Sequence, residues 1–220
     1  MKTNPTVNLS FPKARFMGLS ICLLVAALAG ATAQDLVRYE AVPGGSSCAI
    51  DGTSSIHDWT MTSKIISGYI EADPGFPESA LAGGAAASPT VVANLPAATY
   101  RSGNSAQDKN MQKAVKADKH PRFEYRLISL KPKSQPGATG PLEFDATGTL
   151  AIAGKTVTNT FPVTIEKKEG KLTIAGSTPI KLSDFDIQPP TINLVVTTIK
   201  VGNDLKIKFE WTLAEKKKAS

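Results

Sequence analysis

Period-two alternation of apolar and polar residues, recurring along the chain after residue 140, constrains the fold more than any other feature. In "PLEFDATGTLAIAG" the residues Leu142, Phe144, Ala146, Gly148, Leu150 and Ile152 form one face, and Glu143, Asp145, Thr147 and Thr149 form the other. A segment with that pattern is a strand with one buried and one wet side. A tight turn is expected at Gly154-Lys155, followed by "TVTNTFPVTIE", where Val157, Phe161, Val163 and Ile165 share a face. A second turn at "KKEGK" leads to Leu172, Ile174, Ile180 and Leu182. In "DLKIKFEWTL" the alternation is cleanest, with Leu205, Ile207, Phe209, Trp211 and Leu213 against Lys206, Lys208, Glu210 and Thr212. The run before it, "TINLVVTTIKV", is expected to pair with it through a turn at Gly202-Asn203-Asp204.

Earlier segments extend the series. "RFEYRLISLK" and "PTVVANLPA" read as strands, the latter with Pro96 at an edge or bulge, and "LVRYEAV" and "SSCAIDGTSS" are weaker candidates. In "HDWTMTSKIISGYIEAD" the apolar set changes parity, from Trp59, Met61 and Ile65 to Ile66, Ile70 and Ala72. That switch predicts a bulge or bend in a long strand, eased by Gly68. One helix is expected, over "SAQDKNMQKAVKA", opened by Ser105 with Asp108 three residues on and carrying Met111, Ala114 and Val115 as a narrow apolar stripe. Such a helix lies on the sheet surface or across a barrel mouth. "GFPESALAGGAAASP" is low in complexity, a loop or a poor helix. About eight to ten antiparallel strands with one short helix define an all-β fold, and the long strands and the bend favour a closed barrel over a sandwich. A barrel of about eight strands either fills its interior with side chains or keeps room for one ligand.

The N-terminus carries Lys2, Lys13 and Arg15 without an acid, then an apolar run from Phe16 to Ala29 and the A-x-A pattern Ala31-Thr32-Ala33. Residues 1–33 therefore read as a cleaved signal peptide, and residues 34–220 as one exported domain, periplasmic or secreted. The formal charge of +6 falls by three with that segment, and several remaining positives sit in the tail "EKKKAS". The basic balance thus does not point to a nucleic-acid partner, and none is expected. Of the two cysteines, Cys22 leaves with the signal. Cys48 is then the sole cysteine of the exported domain, which excludes an internal disulfide; it reads as a buried small hydrophobe, the alternative being a reactive thiol, for which no His or basic cluster stands close in sequence to lower its pKa.

His57, Asp58 and Trp59 stand side by side in a chain of two histidines and two tryptophans. On a strand His57 and Trp59 share a face and Asp58 points away, so the adjacent pair cannot jointly grip a metal. His57 is a hydrogen-bonded neighbour of a core tryptophan near a barrel end, or a polar contact for a ligand head group, or a metal ligand. His120 precedes Pro121 and is therefore extended, on the link into the next strand. It is a turn residue, or with Lys119 and Arg122 and the helix residues Lys109 and Lys113 it lines a positive mouth. No G-x-S-x-G, H-E-x-x-H, paired metal-spaced cysteines or G-x-x-x-x-G-K-[ST] is present, and the chain reads as a non-enzyme without cofactor or metal.

The order "SSIHDWT…SGYIEAD", "SGNSAQDKNMQKAVKADKHPRFEYRL", "ATGTLAIAGKTVTNTFPVTI" and "IAGSTPIKLSDFDIQPP", from about Ser47 to Leu213, resembles the lipid/polyisoprenoid-binding YceI-like family of exported bacterial proteins. Asp108 and Met111, His120-Pro121 with Phe123, and Asp184-Phe185 fall on the family's corresponding segments. The chain departs from many relatives in lacking a glycine after Phe185 and in the Ala/Gly insertion at 82–88. The resemblance implies an extended, lipocalin-like antiparallel barrel holding a polyisoprenoid, an isoprenoid quinone or a fatty-acyl lipid. Its apolar tunnel would be lined by Trp59, Met61, Phe144, Leu150, Phe161, Phe209 and Trp211, and its polar mouth by His57, Asp108, Lys109, His120 and Arg122. For a carrier of this kind, transient contact with membrane surfaces and pairing of two copies along a sheet edge both stay open. So do a filled barrel acting as an interaction or stress-response module, and a His57/His120 site that binds metal or supports a weak catalytic step.

Overall fold

Alternation becomes strand wherever it is strongest. The structure, a computed structural model, describes residues 36–83 and 88–216. The expected signal peptide, Cys22, the middle of the Ala/Gly insertion and the end of the basic tail lie outside the described residues. In chain order the strands are β1 (Val37–Ala41), β2 (Ser47–Ser54), β3 (Trp59–Ser63), β4 (Ser67–Ala72), β5 (Thr90–Pro96), β6 (Arg122–Pro132), β7 (Leu142–Ile152), β8 (Lys155–Lys168), β9 (Lys171–Lys181), β10 (Thr191–Asn193) and β11 (Thr198–Glu215). The helix α1 (Ser105–Ala114) lies between β5 and β6.

All pairings are antiparallel, and the order β4-β5-β6-β7-β8-β9-β11 closes because β11 pairs with β1 and β2 on its far side. Tyr39–Ala41 face the C-terminal end of β11 and Ser47–Ser54 its earlier part, so β1 and β2 share one stave of the barrel. β4 and β3 pair with them in turn and share the next stave. With β10 outside the ring, the result is a closed eight-stave barrel with one α-helix among the described residues.

The expected inward faces hold. Leu142, Phe144, Ala146, Leu150 and Ile152 of β7 are buried, as are Phe161, Val163 and Ile165 of β8. Removing one such side chain from water contributes roughly 1.5–3 kcal/mol.

Four local expectations are corrected. The β7–β8 turn is Ala153-Gly154, one residue earlier than expected, both in the left-handed region (φ 53° and 85°) that matches the twist of the strands. Gly202–Asp204 does not turn the chain: it is a bulge inside β11, where Val201 faces Ser54 and Leu205 faces Gly52. Two extra residues on β11 preserve parity, so one strand runs on and Val201 and Leu205 share the inner face. The turn instead falls at Leu194–Thr197, between β10 and β11.

The parity switch in residues 59–72 is a break between β3 and β4 within one stave. Ile65, expected inward, is 47% exposed, and Ser63 and Ile66 are buried in its place. Ser63 stays buried because its Oγ shares a 2.7 Å hydrogen bond with Thr99 Oγ1 and accepts the Ile65 N–H. Gly68 has φ 128°, and a Cβ there would strike the Val92 carbonyl. Lastly, α1 is capped by Asn104 and not by Ser105: Asn104 Oδ1 accepts from the backbone N–H groups of Ala106 and Gln107.

Beyond the break, β3 does not pair with β5. The chain after β5 crosses that gap, and Thr62 and Arg101 exchange backbone hydrogen bonds at 2.9 and 3.0 Å. This crossing delivers α1 to the open end of the barrel. At the opposite end, Phe76, Ala80 and Leu81 are buried around a one-turn 3-10 helix (Glu78–Ala82), so part of the low-complexity stretch contributes to the core. The segment is tied there by Lys167 Nζ donating to the Pro74 carbonyl.

Candidate functional site

The two ends of the barrel are packed differently. At one end Tyr39, Leu142, Phe144, Leu172 and Leu213 are each at most 2% exposed and seal the lumen. Above this plug lies a cavity of about 490 Å³, in the range of small-ligand sites. Its floor is Ile70, Phe76, Ile165, Ile174 and Trp211; Tyr125, Leu150, Phe161 and Phe209 line its middle. The mouth is framed by Trp59, by Met111 and Ala114 of α1, and by Ile192 and Leu194 of the β10–β11 hairpin.

The lumen stays open because its aromatic rings lie against glycines. An added methyl on Gly52 would collide with the Trp59 indole, on Gly148 with the Tyr125 ring, and on Gly176 with Phe209. All three glycines are on inward-facing positions of β2, β7 and β9. Mid-strand glycine here gives close approach of a neighbouring ring to the backbone. Contacts along the wall hold the rings in place: Tyr125–Phe161 centroids are 5.6 Å apart and Phe161–Phe209 6.0 Å, the latter edge-on at 87°. The Trp59 N–H donates to the Thr53 carbonyl at 3.0 Å.

Of the residues predicted to line a tunnel, Trp59, Met61, Leu150, Phe161, Phe209 and Trp211 border the cavity. Phe144 does not; it is fully buried in the plug beneath, although its β8 partner Val163 borders the cavity. Of the predicted polar mouth only His57 borders the cavity, with Nδ1 2.7 Å from the Asp58 carbonyl oxygen. Asp108 is buried behind α1, accepting from the Ser102 N–H and hydroxyl at 2.8 Å, with Arg101 3.9 Å away. Its carboxylate thus ties the helix to the preceding turn. Lys109 and Arg122 are exposed and border no part of the cavity. His120 packs on Gly154 in the β7–β8 turn. The positive mouth expected from the sequence is therefore not assembled: among the described residues no Asp, Glu, Lys or Arg borders the cavity.

Sequence reasoning passed over Tyr125, Cys48 and the hairpin residues Ile192 and Leu194 as lining residues. A signal for Tyr125 existed, since it is two residues after Phe123 in a strand whose partner carries Gly148. None existed for the hairpin, whose position depends on the β11 bulge.

The YceI-like domain matches residues 39–213, from the first stave to the last. The chain belongs to the YceI-like family. Among solved structures it is similar to Burkholderia cenocepacia BcnA, at 18% identity and TM-score 0.60, over 78% of this chain and 98% of that one. A polyisoprenoid binding domain from Saccharophagus degradans, implicated in plant cell wall breakdown, is 9% identical with TM-score 0.58, over 81% and 98%. The Campylobacter jejuni YCEI protein is 21% identical with TM-score 0.52, over 72% and 85%. At these identities the likeness is one of fold. No curated protein sequence matches the chain.

In this YceI-like barrel one thiol, that of Cys48, lies in the cavity wall. Burial pushes Cys48 up to about 11, opposed by a smaller contribution from the Tyr100 hydroxyl, so it stays protonated at neutral pH. Burial likewise raises Tyr100 and Tyr125 far above the usual phenol range. The cavity surface is in consequence apolar over most of its wall, suited to solvating hydrocarbon.

Proposed function

We propose that the chain is an exported binding or carrier protein that holds a long-chain hydrophobic ligand, a polyisoprenoid, isoprenoid quinone or fatty-acyl lipid, in the barrel cavity. The observation that carries this reading is an open lumen, bordered among the described residues by no Asp, Glu, Lys or Arg side chain, above a sealed plug. Each methylene of a prenyl or acyl chain moved from water into it contributes roughly 0.8 kcal/mol, and carriage needs no chemical step. A charged head group would find no counter-charge in the wall and stays at or outside the mouth. The Saccharophagus domain, described as polyisoprenoid binding, supports the ligand class by its shared fold. The N-terminal Lys/Arg, apolar and A-x-A succession supports the export part of this reading.

The test is native mass spectrometry of the protein isolated gently from producing cells, with organic extraction of what it carries. A discrete bound species that is chemically a prenyl or acyl chain is the expected result. An empty protein that also fails to bind added long-chain isoprenoids would overturn the proposal.

A further inference from the structure

The hairpin joining β10 to β11 ends in Leu194-Val195-Val196-Thr197, closed by the Leu194 N–H donating to the Thr197 carbonyl at 2.8 Å. Val195 is 103% exposed, Val196 90% and Leu194 52%. Single exposed apolar residues are ordinary, but three in succession at a tip call for a partner. The surroundings of the tip indicate which.

Leu194 borders the cavity mouth, as do Ile192 and Ile199 from the same hairpin. Ile56, 56% exposed, also borders the mouth from the opposite flank of β11. Its loop is pinned there, with the Ser55 N–H donating to the Lys200 carbonyl at 2.9 Å and the Lys200 N–H to Ser55 Oγ at 3.1 Å. Apolar surface is therefore continuous from the cavity floor through the mouth to the hairpin tip. From Gln188 to Asn203 the chain carries a single charge, that of Lys200, and no acid.

A specific protein partner covers on the order of 800 Å² on each side, far more than a four-residue convex tip offers. A bilayer makes no such demand. It accepts a small apolar wedge at the boundary between head groups and acyl chains, and its anionic head groups attract a basic residue beside the wedge. The hairpin's own closing hydrogen bond suits it to that shallow depth.

We infer that the Leu194–Val196 tip, with Ile56 beside it, docks on a lipid bilayer and sets the cavity mouth against the membrane, so that a hydrophobic chain passes between bilayer and cavity without crossing water. The inference rests on the proposed carrier function.

The test uses the chain from Gln34 onward, a compact unit that contains the whole barrel and its core and lacks the apolar run of residues 16–29. Wild type and the double variant Val195→Asp, Val196→Asp are floated with vesicles of phosphatidylethanolamine containing a minority of phosphatidylglycerol. Uptake of geranylgeraniol is measured separately, once from dilute solution and once from the same vesicles. Neither valine borders the cavity, so the variant folds and takes up geranylgeraniol from solution as wild type does. Its vesicle association and its uptake from vesicles fall at least about tenfold, the effect of no longer burying two valine side chains.

Wild type that ignores vesicles, or a variant that floats equally well, overturns the docking inference. So does a change in oligomeric state of the variant, which would make the tip a contact between copies of the chain. Failure of both proteins to take up geranylgeraniol from solution would count against the carrier reading, while the flotation result still decides docking.

Discussion

At the scale of single residues, the lumen wall is defined by what is missing from it. Cys48 is 1% exposed and its thiol is held up to about 11, above the ordinary value of 9.0 that applies once the chain unfolds. As pH rises, the unfolded chain therefore loses this proton first, so the stabilisation is whole below about pH 9 and is lost as pH climbs through the folded value. The loss amounts to on the order of 2–3 kcal/mol. Urea unfolding at pH 8 to 11 should show this decline, and Cys48→Ala should remove the part that begins near pH 9 while leaving the part due to the buried tyrosines. An unchanged profile in Cys48→Ala would show that the thiol is not the group responsible. Both tryptophans of the chain, Trp59 and Trp211, border the cavity, one at the mouth and one at the floor. Added geranylgeraniol should shift their emission in two separable components, and Trp59→Phe should abolish the component from the mouth alone.

At the scale of elements, glycine against ring decides whether staves enclose space. Gly148→Ala on β7 drives the Tyr125 ring of β6 off the wall and into the lumen. Ligand affinity in a titration should fall and thermal stability should drop by about 1–3 kcal/mol from overpacking; wild-type affinity in this variant would mean that the ring does not border the occupied space. Much of this element-level order was legible in the chain. Leu142 to Ile152 and Leu205 to Leu213 alternate without interruption, and both proved to be long strands facing as read. Gly202-Asn203-Asp204 reads as a turn because its composition is that of one, yet the pairing of β11 with β2 and β9 outweighs local preference and absorbs it as a bulge. The basic mouth was misread for a related reason. Periodicity reports which side of an element is apolar, and α1 turns Met111 and Ala114 to the cavity while Lys109 and Lys113 stay in water. Whether inward side chains fill a barrel is a matter of volume, which alternation does not encode; mid-strand Gly52, Gly148 and Gly176 were the available sign.

At the scale of the whole molecule, the barrel divides its labour along its axis. The sealed end, where β1, the starts of β7 and β9 and the ends of β8 and β11 meet, is packed without a lumen around Phe144, Leu172 and Leu213. The open end gives up that packing to keep about 490 Å³ of space, and so depends on the plug for its stability. Stability and binding should accordingly separate by position. Phe144→Ala should cost about 3–5 kcal/mol in urea unfolding, with geranylgeraniol affinity unchanged in buffer where the variant remains folded. Leu150→Ala, at the cavity wall, enlarges a space that already exists, so it should cost less than a buried leucine in a filled core, near or below the low end of about 2–5 kcal/mol, and should change ligand affinity. Saturating ligand should raise the unfolding temperature of wild type and Phe144→Ala by similar free energies, because binding stabilises the folded state by mass action whatever the stability beneath it. If Phe144→Ala instead lost binding while folded, plug and cavity would be one packed unit, and the axial division would be wrong.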